Sequence, residues 1–428
     1  MLDIRFIKEN KEIVEKAIKD KNAAPVDLDA VIRLYEERKV LQQELERINH
    51  SRKEAADSRN TEAGKKLKQE VQSVEEKLAK TEKDFVALMI QIPNIPSPDT
   101  PVGPDESGNK VLRQWGEKQK FSFKPKEHWE LGKDLGIIDT ETAGEVSGPR
   151  YAYLFGDLAI MQFALLKLCF DTLTNSETLK TIAGEAGISI DTKAFTPALP
   201  PVMMKSAVMN RMARLHPIDE RYYFEKDDIV LVGSAEHTLG PIHMDKILDE
   251  KDLPIRYVGY STAFRREAGS YGKDTKGILR QHQFDKVEME TFCRPEDSLQ
   301  EQDFLVAIQE YLLRRLKIPH QAVIICTGDM SKPDYRQIDI ECWMPGQNVY
   351  RETHSADLMQ GYQARRLNTR VRRTDGKIEP VHMNDATVLA MGRTLIAIME
   401  NYQKADGSIT IPEVLRGYMG NDAIKSRN

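Results

Sequence analysis

STAFRREAGSYGKDTKGILRQHQFDKVEME, residues 261–290, reads as a strand, a loop rich in glycine and basic side chains, and a returning strand. Arg265 follows Phe264 near the loop entry, and its planar fork can grip a phosphate through two parallel hydrogen bonds, which lysine cannot imitate. Glu267, two residues on, shares a face with Arg265 if strand alternation continues that far. Phe284 on the return strand offers a ring on which a base can stack. From spacing alone, the same residues serve equally well as a surface ion-pair ladder around a core phenylalanine.

Outward from this hairpin, further strands are expected at 229–232, 256–260, 287–292, 322–326 and 337–343, with a long apolar helix over 158–173. Strands clustered between helices, without regular βαβ alternation, predict an α+β domain built on an antiparallel sheet. Neither GxxxxGK[ST] nor GxGxxG occurs, so the common phosphate cradles are missing.

The N-terminal region has a different grammar. Val31, Leu34, Arg38, Leu41, Leu45, Ile48, Arg52 and Ala55 are spaced alternately three and four apart, as are Leu67, Val71, Val74, Leu78, Thr81, Phe85, Leu88 and Ile92. These are two heptad seams, and Asn60 and Gly64 between them suit a chain reversal. An antiparallel coiled-coil arm is therefore expected over about 27–92, within an N-terminal domain of residues 1–100. Thirty residues of helix extend about 45 Å, so the arm should project. Its tip half holds Arg47, Arg52, Lys53, Arg59, Lys65, Lys66 and Lys68 against three acidic residues. Such a tip can lie along a phosphate backbone, where basic side chains supply affinity and register. The proline-rich segment 92–109 reads as an interdomain linker, leaving 110–428 for the second domain.

Composition bounds the rest. The chain has 428 residues and a formal charge of -5, against a protein that coats nucleic acid indiscriminately. Its four cysteines are scattered without a CxxC pair, and its first residues mix charges where a signal peptide needs an apolar run. No stretch suits a membrane span, so a cytoplasmic protein is expected.

FRREAGSYGKDTKG followed by RQHQFDKVE resembles the second signature motif of class II aminoacyl-tRNA synthetases, in the form found in seryl-tRNA synthetases. The likeness extends to the arm, to SAE at 234–236, to YRET and QARR around Glu352 and Arg366, and to GRTLIAIMENYQ from Gly392. The first motif maps to 158–201. The resemblance implies a six- or seven-stranded antiparallel sheet flanked by helices, a homodimer, and an enzyme that joins L-serine to tRNA(Ser) using ATP and Mg2+. It further implies that Arg265 holds the α-phosphate and the serine carboxylate, that Glu267 reads the adenine amino group, and that Phe284 stacks on the base. Arg393 would bind the γ-phosphate, while Glu352 and Ser355 would hold magnesium, with Thr353 and His354 between them in the ATP site. Ser234, Ala235, Glu236, Glu288 and Thr387 match the serine pocket. Arg266 matches the nucleotide site and, with the loop 268–277, the RNA acceptor end; the arm matches the part that grips the tRNA.

The sequence departs from that pattern at Asp385, Ala386, Thr387 and Val388, where the family has asparagine, glycine, serine and glycine. Val388 is β-branched and unsuited to a positive φ. Two alternatives therefore stay open: a paralogue with an altered amino-acid pocket, and a synthetase-like RNA-binding protein without activity.

Overall fold

Heptad spacing builds the first of two compact units, Met1–Pro96; the second is Ser97–Asn428. The computed structural model describes residues 1–57, 60–268, 274 and 276–426. Two short helices, Ile4–Glu9 and Lys11–Asp20, precede the arm helices α1 (Leu28–Asp57) and α2 (Thr61–Met89). The seams meet as expected: Leu41, Ile48, Val71 and Val74 form a buried strip with Leu45, Leu67 and Leu78 against it. Two of the three polar seam positions are also used, since Arg38 lies over the Phe85 ring at 5.5 Å and Thr81 donates to Glu37 at 3.3 Å. Asn60 caps α2, accepting from the Ala63 N–H at 3.0 Å. Gly64 lies inside α2 and takes no part in the reversal.

The second unit is organised by one eight-stranded sheet. In chain order its elements are β1 (Lys110–Trp115), α3 (Gly156–Leu173), β2 (Thr196–Ala198), β3 (Ile255–Phe264), β4 (Gln283–Cys293), α4 (Ser298–Arg315), β5 (His320–Ile324), β6 (Arg336–Met344), β7 (Val349–Gln360), β8 (His382–Ala390) and α5 (Met391–Tyr402). The strand order is β1-β5-β6-β7-β8-β4-β3-β2. All pairs are antiparallel except β2 with β3. The sheet thus has one or two strands more than the six or seven expected, and its two outermost strands, β1 and β2, escaped the sequence reading. The predicted strand at 229–232 forms, but in a separate three-stranded sheet with Met203–Lys205 and Tyr223–Phe224.

Residues 97–109 are no free linker: the Thr327 N–H donates to the Pro101 carbonyl, Gly328 to Gly103, and Cys326 to the Asn109 side chain. One continuous apolar core joins α3, α4 and α5 to the sheet, with Leu165, Phe304, Leu395, Val287 and Ile340 all fully buried.

Two irregularities in the sheet position the functional residues. Between β6 and β7, Glu341 pairs with Glu352 but Ile340 pairs with His354, so Thr353 is an extra residue. Between β4 and β8, Glu288 pairs with Thr387 but Val287 pairs with Leu389, so Val388 is extra. Both are β-bulges, which re-aim neighbouring side chains. Gln309 of α4 secures both, its amide donating to the Ser355 carbonyl at 2.7 Å and the Thr387 carbonyl at 2.8 Å.

Candidate active site

β3 delivers Arg265 to the edge of an open cleft, where its Nε donates to the Gly233 carbonyl at 3.2 Å and its guanidinium lies 5.3 Å from the Phe284 ring centroid. Two adjoining cavities share Arg265, Glu267, Arg280, Glu352 and Arg393. The first also contains Phe284 and Thr387, and the second Glu236 and His237. Glu267 reaches this place by a different route from the one expected. The strand ends at Phe264 and Glu267 adopts a positive φ of 51°, so a turn rather than strand alternation aims its carboxylate, which accepts from Arg280 at 2.9 Å.

At the far side, Arg393 in the first turn of α5 holds Glu352 twice, through the carboxylate at 3.1 Å and the main-chain carbonyl at 2.9 Å. Burial opposes ionisation of Glu352, but Arg393 and Arg265 outweigh it and keep the carboxyl below its usual range. Residues three apart normally point to opposite faces of a strand; the Thr353 bulge brings Glu352 and Ser355 onto one face, opposite Glu341 and Asp339. That face collects oxygen donors of the kind magnesium prefers. Thr353 and His354 go elsewhere. Both are buried, joined Oγ1 to Nδ1 at 2.7 Å, and Thr353 also donates to the Ile340 carbonyl. Thr353 keeps one wall of the cavity, whereas His354 does not reach it, and burial lowers its imidazole to about 3.

Beside the cleft lies a buried polar cluster, where Ser234 meets side chains of β4 and β8. Ser234 donates to Glu288 Oε1 at 2.7 Å, Thr387 donates to the same oxygen at 3.3 Å, and Lys286 forms an ion pair with it. Burial, helped by Glu236, holds the Glu288 carboxyl above its usual range despite Lys286. Lys286 was not singled out in the sequence, although its position two residues before Glu288 on a strand was the signal that could have found it. Glu236 opens the one-turn helix Glu236–Leu239; burial resists its charge, but Lys286 and Arg214 keep it ionised. Ala235 is buried in front of it and offers only backbone. His237 accepts from the Gly233 N–H at 3.1 Å and is neutral, lowered to about 3 by burial.

Behind this pocket, register places Glu290, Asp385 and Asp357 in one row across β4, β8 and β7. Arg214 faces them, 3.5 Å from Asp357, 3.6 Å from Asp385 and 3.8 Å from Glu236. Burial and mutual repulsion raise the carboxyls of Glu290, Asp385 and Asp357 well above normal, while Arg214 stays charged. None of these four was legible as a site residue.

Arg266 lines neither cavity; its guanidinium lies 5.8 Å from the Tyr222 ring and its main-chain N–H donates to the Glu220 carbonyl. Most of the loop 268–277 lies outside the described residues, as does Arg59. Arg47, Arg52, Lys53, Lys65 and Lys66 are all exposed on the arm.

The sheet that sets Arg265, Phe284 and the paired Glu352 and Arg393 around one cleft belongs to a class II synthetase core: residues 222–402 match the tRNA synthetase class II core domain (G, H, P, S and T). Residues 1–96 match the seryl-tRNA synthetase N-terminal domain. The serine–tRNA ligase of Thermodesulfovibrio yellowstonii is 38% identical over 99% of this chain and 100% of its own length. That of Symbiobacterium thermophilum is 39% identical over 98% of each. Among solved structures, seryl-tRNA synthetase from Pyrococcus horikoshii complexed with ATP superposes with a TM-score of 0.86 at 34% identity, covering 100% of both chains. The chain belongs to the seryl-tRNA synthetases.

Proposed function

We propose that this chain activates L-serine with ATP and transfers the seryl group to tRNA(Ser). The observation that carries this reading is the convergence of Ser234, Thr387 and Lys286 on Glu288, a buried polar cluster whose Lys286 and Thr387 open into the cleft that Arg265 and Arg393 line. A serine carboxylate oxygen attacks the α-phosphorus. One P–O bond forms, the bond to the bridging oxygen breaks, and pyrophosphate leaves with the electron pair. The carboxylate is already ionised, so no general base is required, and positioning and charge stabilisation supply most of the rate. Arg265 orients the carboxylate against the α-phosphate, Phe284 supports the base, Glu267 accepts from the adenine amino group, and Arg393 holds the γ-phosphate. Glu352 and Ser355, with Asp339 beside them, fit Mg2+, which when bound neutralises charge on the phosphates. Among the described residues no three His, Cys, Asp or Glu side chains converge as a ready-made metal cage. This suits a cation that keeps phosphate oxygens and waters as ligands.

The terminal ribose hydroxyl of the tRNA then attacks the seryl carbonyl carbon: the ester C–O bond forms, the anhydride bond to the phosphate breaks, AMP leaves with the electron pair and the hydroxyl proton is released, with the exposed basic arm tip on the RNA backbone. An uncovered apolar face on α3, where Phe163 is 60% and Ile160 48% exposed, supports a homodimer formed there. Among the described residues no helix is long and apolar enough to cross a membrane. Pyrophosphate exchange measured with each amino acid tests the assignment. Exchange with serine alone supports it, exchange with another amino acid indicates an altered pocket, and none at all indicates a non-catalytic protein.

A further inference from the structure

The cleft holds one more arginine than the roles above require. Arg221 stands between the turn Ile218–Glu220 and the strand Tyr223–Phe224, half-buried, and lines the same cavity as Arg265 and Glu236. Its Nε donates to the Arg214 carbonyl at 2.9 Å, which fixes the stem and leaves the two outer nitrogens for the cavity. A Cβ added to Gly233 would lie 3.3 Å from Arg221 Nη1 and 3.7 Å from Arg265 Cγ, so the two arginines approach the same face of that glycine. Arg214, Arg280 and Arg393 each have carboxylate partners. Among the described residues, Arg221 and Arg265 form no ion pair with any carboxylate. Burial, and then the positive charges of Arg265 and Arg214, hold the Arg221 guanidinium below its ordinary value. Two guanidinium groups side by side in a partly dry cleft repel one another, and an anion placed between them relieves that repulsion.

We propose that Arg221 is a second guanidinium on the reacting anion, sharing with Arg265 the negative charge of the amino-acid carboxylate and the α-phosphate as they meet. The assignment rests on the reading of the cleft as a serine-activating site. It favours the α-phosphate over the γ-phosphate because Arg221 lies against Gly233, Arg265 and the SAE segment, whereas Arg393 is engaged with Glu352. Removing Arg221 should therefore weaken the adenylate and its formation more than it weakens ATP binding.

The test compares wild type, R221Q and R221K in serine-dependent pyrophosphate exchange, in charging of tRNA(Ser), and in calorimetric binding of ATP and of a non-hydrolysable seryl-sulfamoyl adenosine. R221Q should lose roughly 10- to 100-fold in kcat/KM for exchange and a similar factor in analogue affinity, the range for a charge-assisted hydrogen bond. Its ATP affinity should stay near that of wild type. R221K keeps the charge and loses the bond to the Arg214 carbonyl, so it should recover part of both losses. Wild-type exchange and analogue affinity in R221Q would overturn the proposal. So would a defect confined to the KM for tRNA, which would move Arg221 to the RNA end, or a failure of R221K to recover anything, which would mark a purely structural role. A wild-type enzyme that exchanges with no serine would defeat the activation reading itself, a result distinct from all of these.

Discussion

At the residue scale, two departures from the family pattern have physical resolutions. Val388 is a buried bulge residue in an extended strand and is absent from the positive-φ positions, so nothing there requires glycine. Asp385 is held above the usual carboxylate range by burial and by Glu236, against the pull of Arg214. A protonated carboxyl offers one donor and one acceptor, much as the asparagine amide does, and adds no buried charge. A carboxyl whose folded-state value is raised stabilises the protein fully below its unfolded value, near pH 4, and that contribution is lost as pH climbs toward the folded value. Asp385→Asn should therefore retain exchange, and its stability advantage over wild type should grow between about pH 5 and pH 8, read as urea midpoints. An advantage that shrank with pH would contradict the protonated state. Arg265→Ala should abolish serine-dependent exchange, and near-normal exchange would remove Arg265 from the clamp. The hairpin residues were legible because the motif is contiguous. Lys286 and Arg214 were missed because their importance arises from what the fold sets beside them.

At the element scale, the strands the sequence revealed were those with apolar alternation, β3, β4, β5 and β6. Of the four strands it concealed, β1 and β2 lie at the sheet edges, while β7 and β8 bury Thr353, His354, Asp357, Asn384, Asp385 and Thr387, and that polar content erases the periodicity on which strand reading depends. A strand that carries a site on one face and hydrogen-bonds a helix on the other reads as a loop. Gln309 is the counterpart of this disguise, a fully buried polar residue on α4 whose amide satisfies two strand carbonyls. Gln309→Leu fills a similar volume but leaves both carbonyls unpaired. It should cost about 2–4 kcal/mol of stability by denaturant unfolding and should lower exchange as the bulges relax. A loss below about 0.5 kcal/mol would show that those carbonyls find other partners.

At the scale of the whole molecule, the heptad arm and the sheet were legible as separate units, and the arm's basic tip assigns it a separable task. Deleting residues 49–66 should abolish charging of tRNA(Ser) while leaving serine-dependent exchange intact; surviving charging would disprove the arm's role. The uncovered face of α3 gives a second expectation, that Phe163→Glu shifts the sedimentation of the protein from dimer toward monomer. The arm is read from local periodicity, whereas the site needs strands from residue 255 to residue 390, which is why only motif resemblance joined its parts in advance.

The bulge at Thr353 also bears on how this chain can change in length. Within a regular strand, losing a single residue inverts every side chain beyond it, so the interiors of such strands are closed to deletions. At Thr353 the opposite holds: its removal would leave Glu352 and Ser355 two apart in a strictly alternating strand, still on the same side of the sheet. A lineage could shorten there and keep its pair of oxygen ligands, at a point where the genetic frame of the protein and the parity of its sheet come into step.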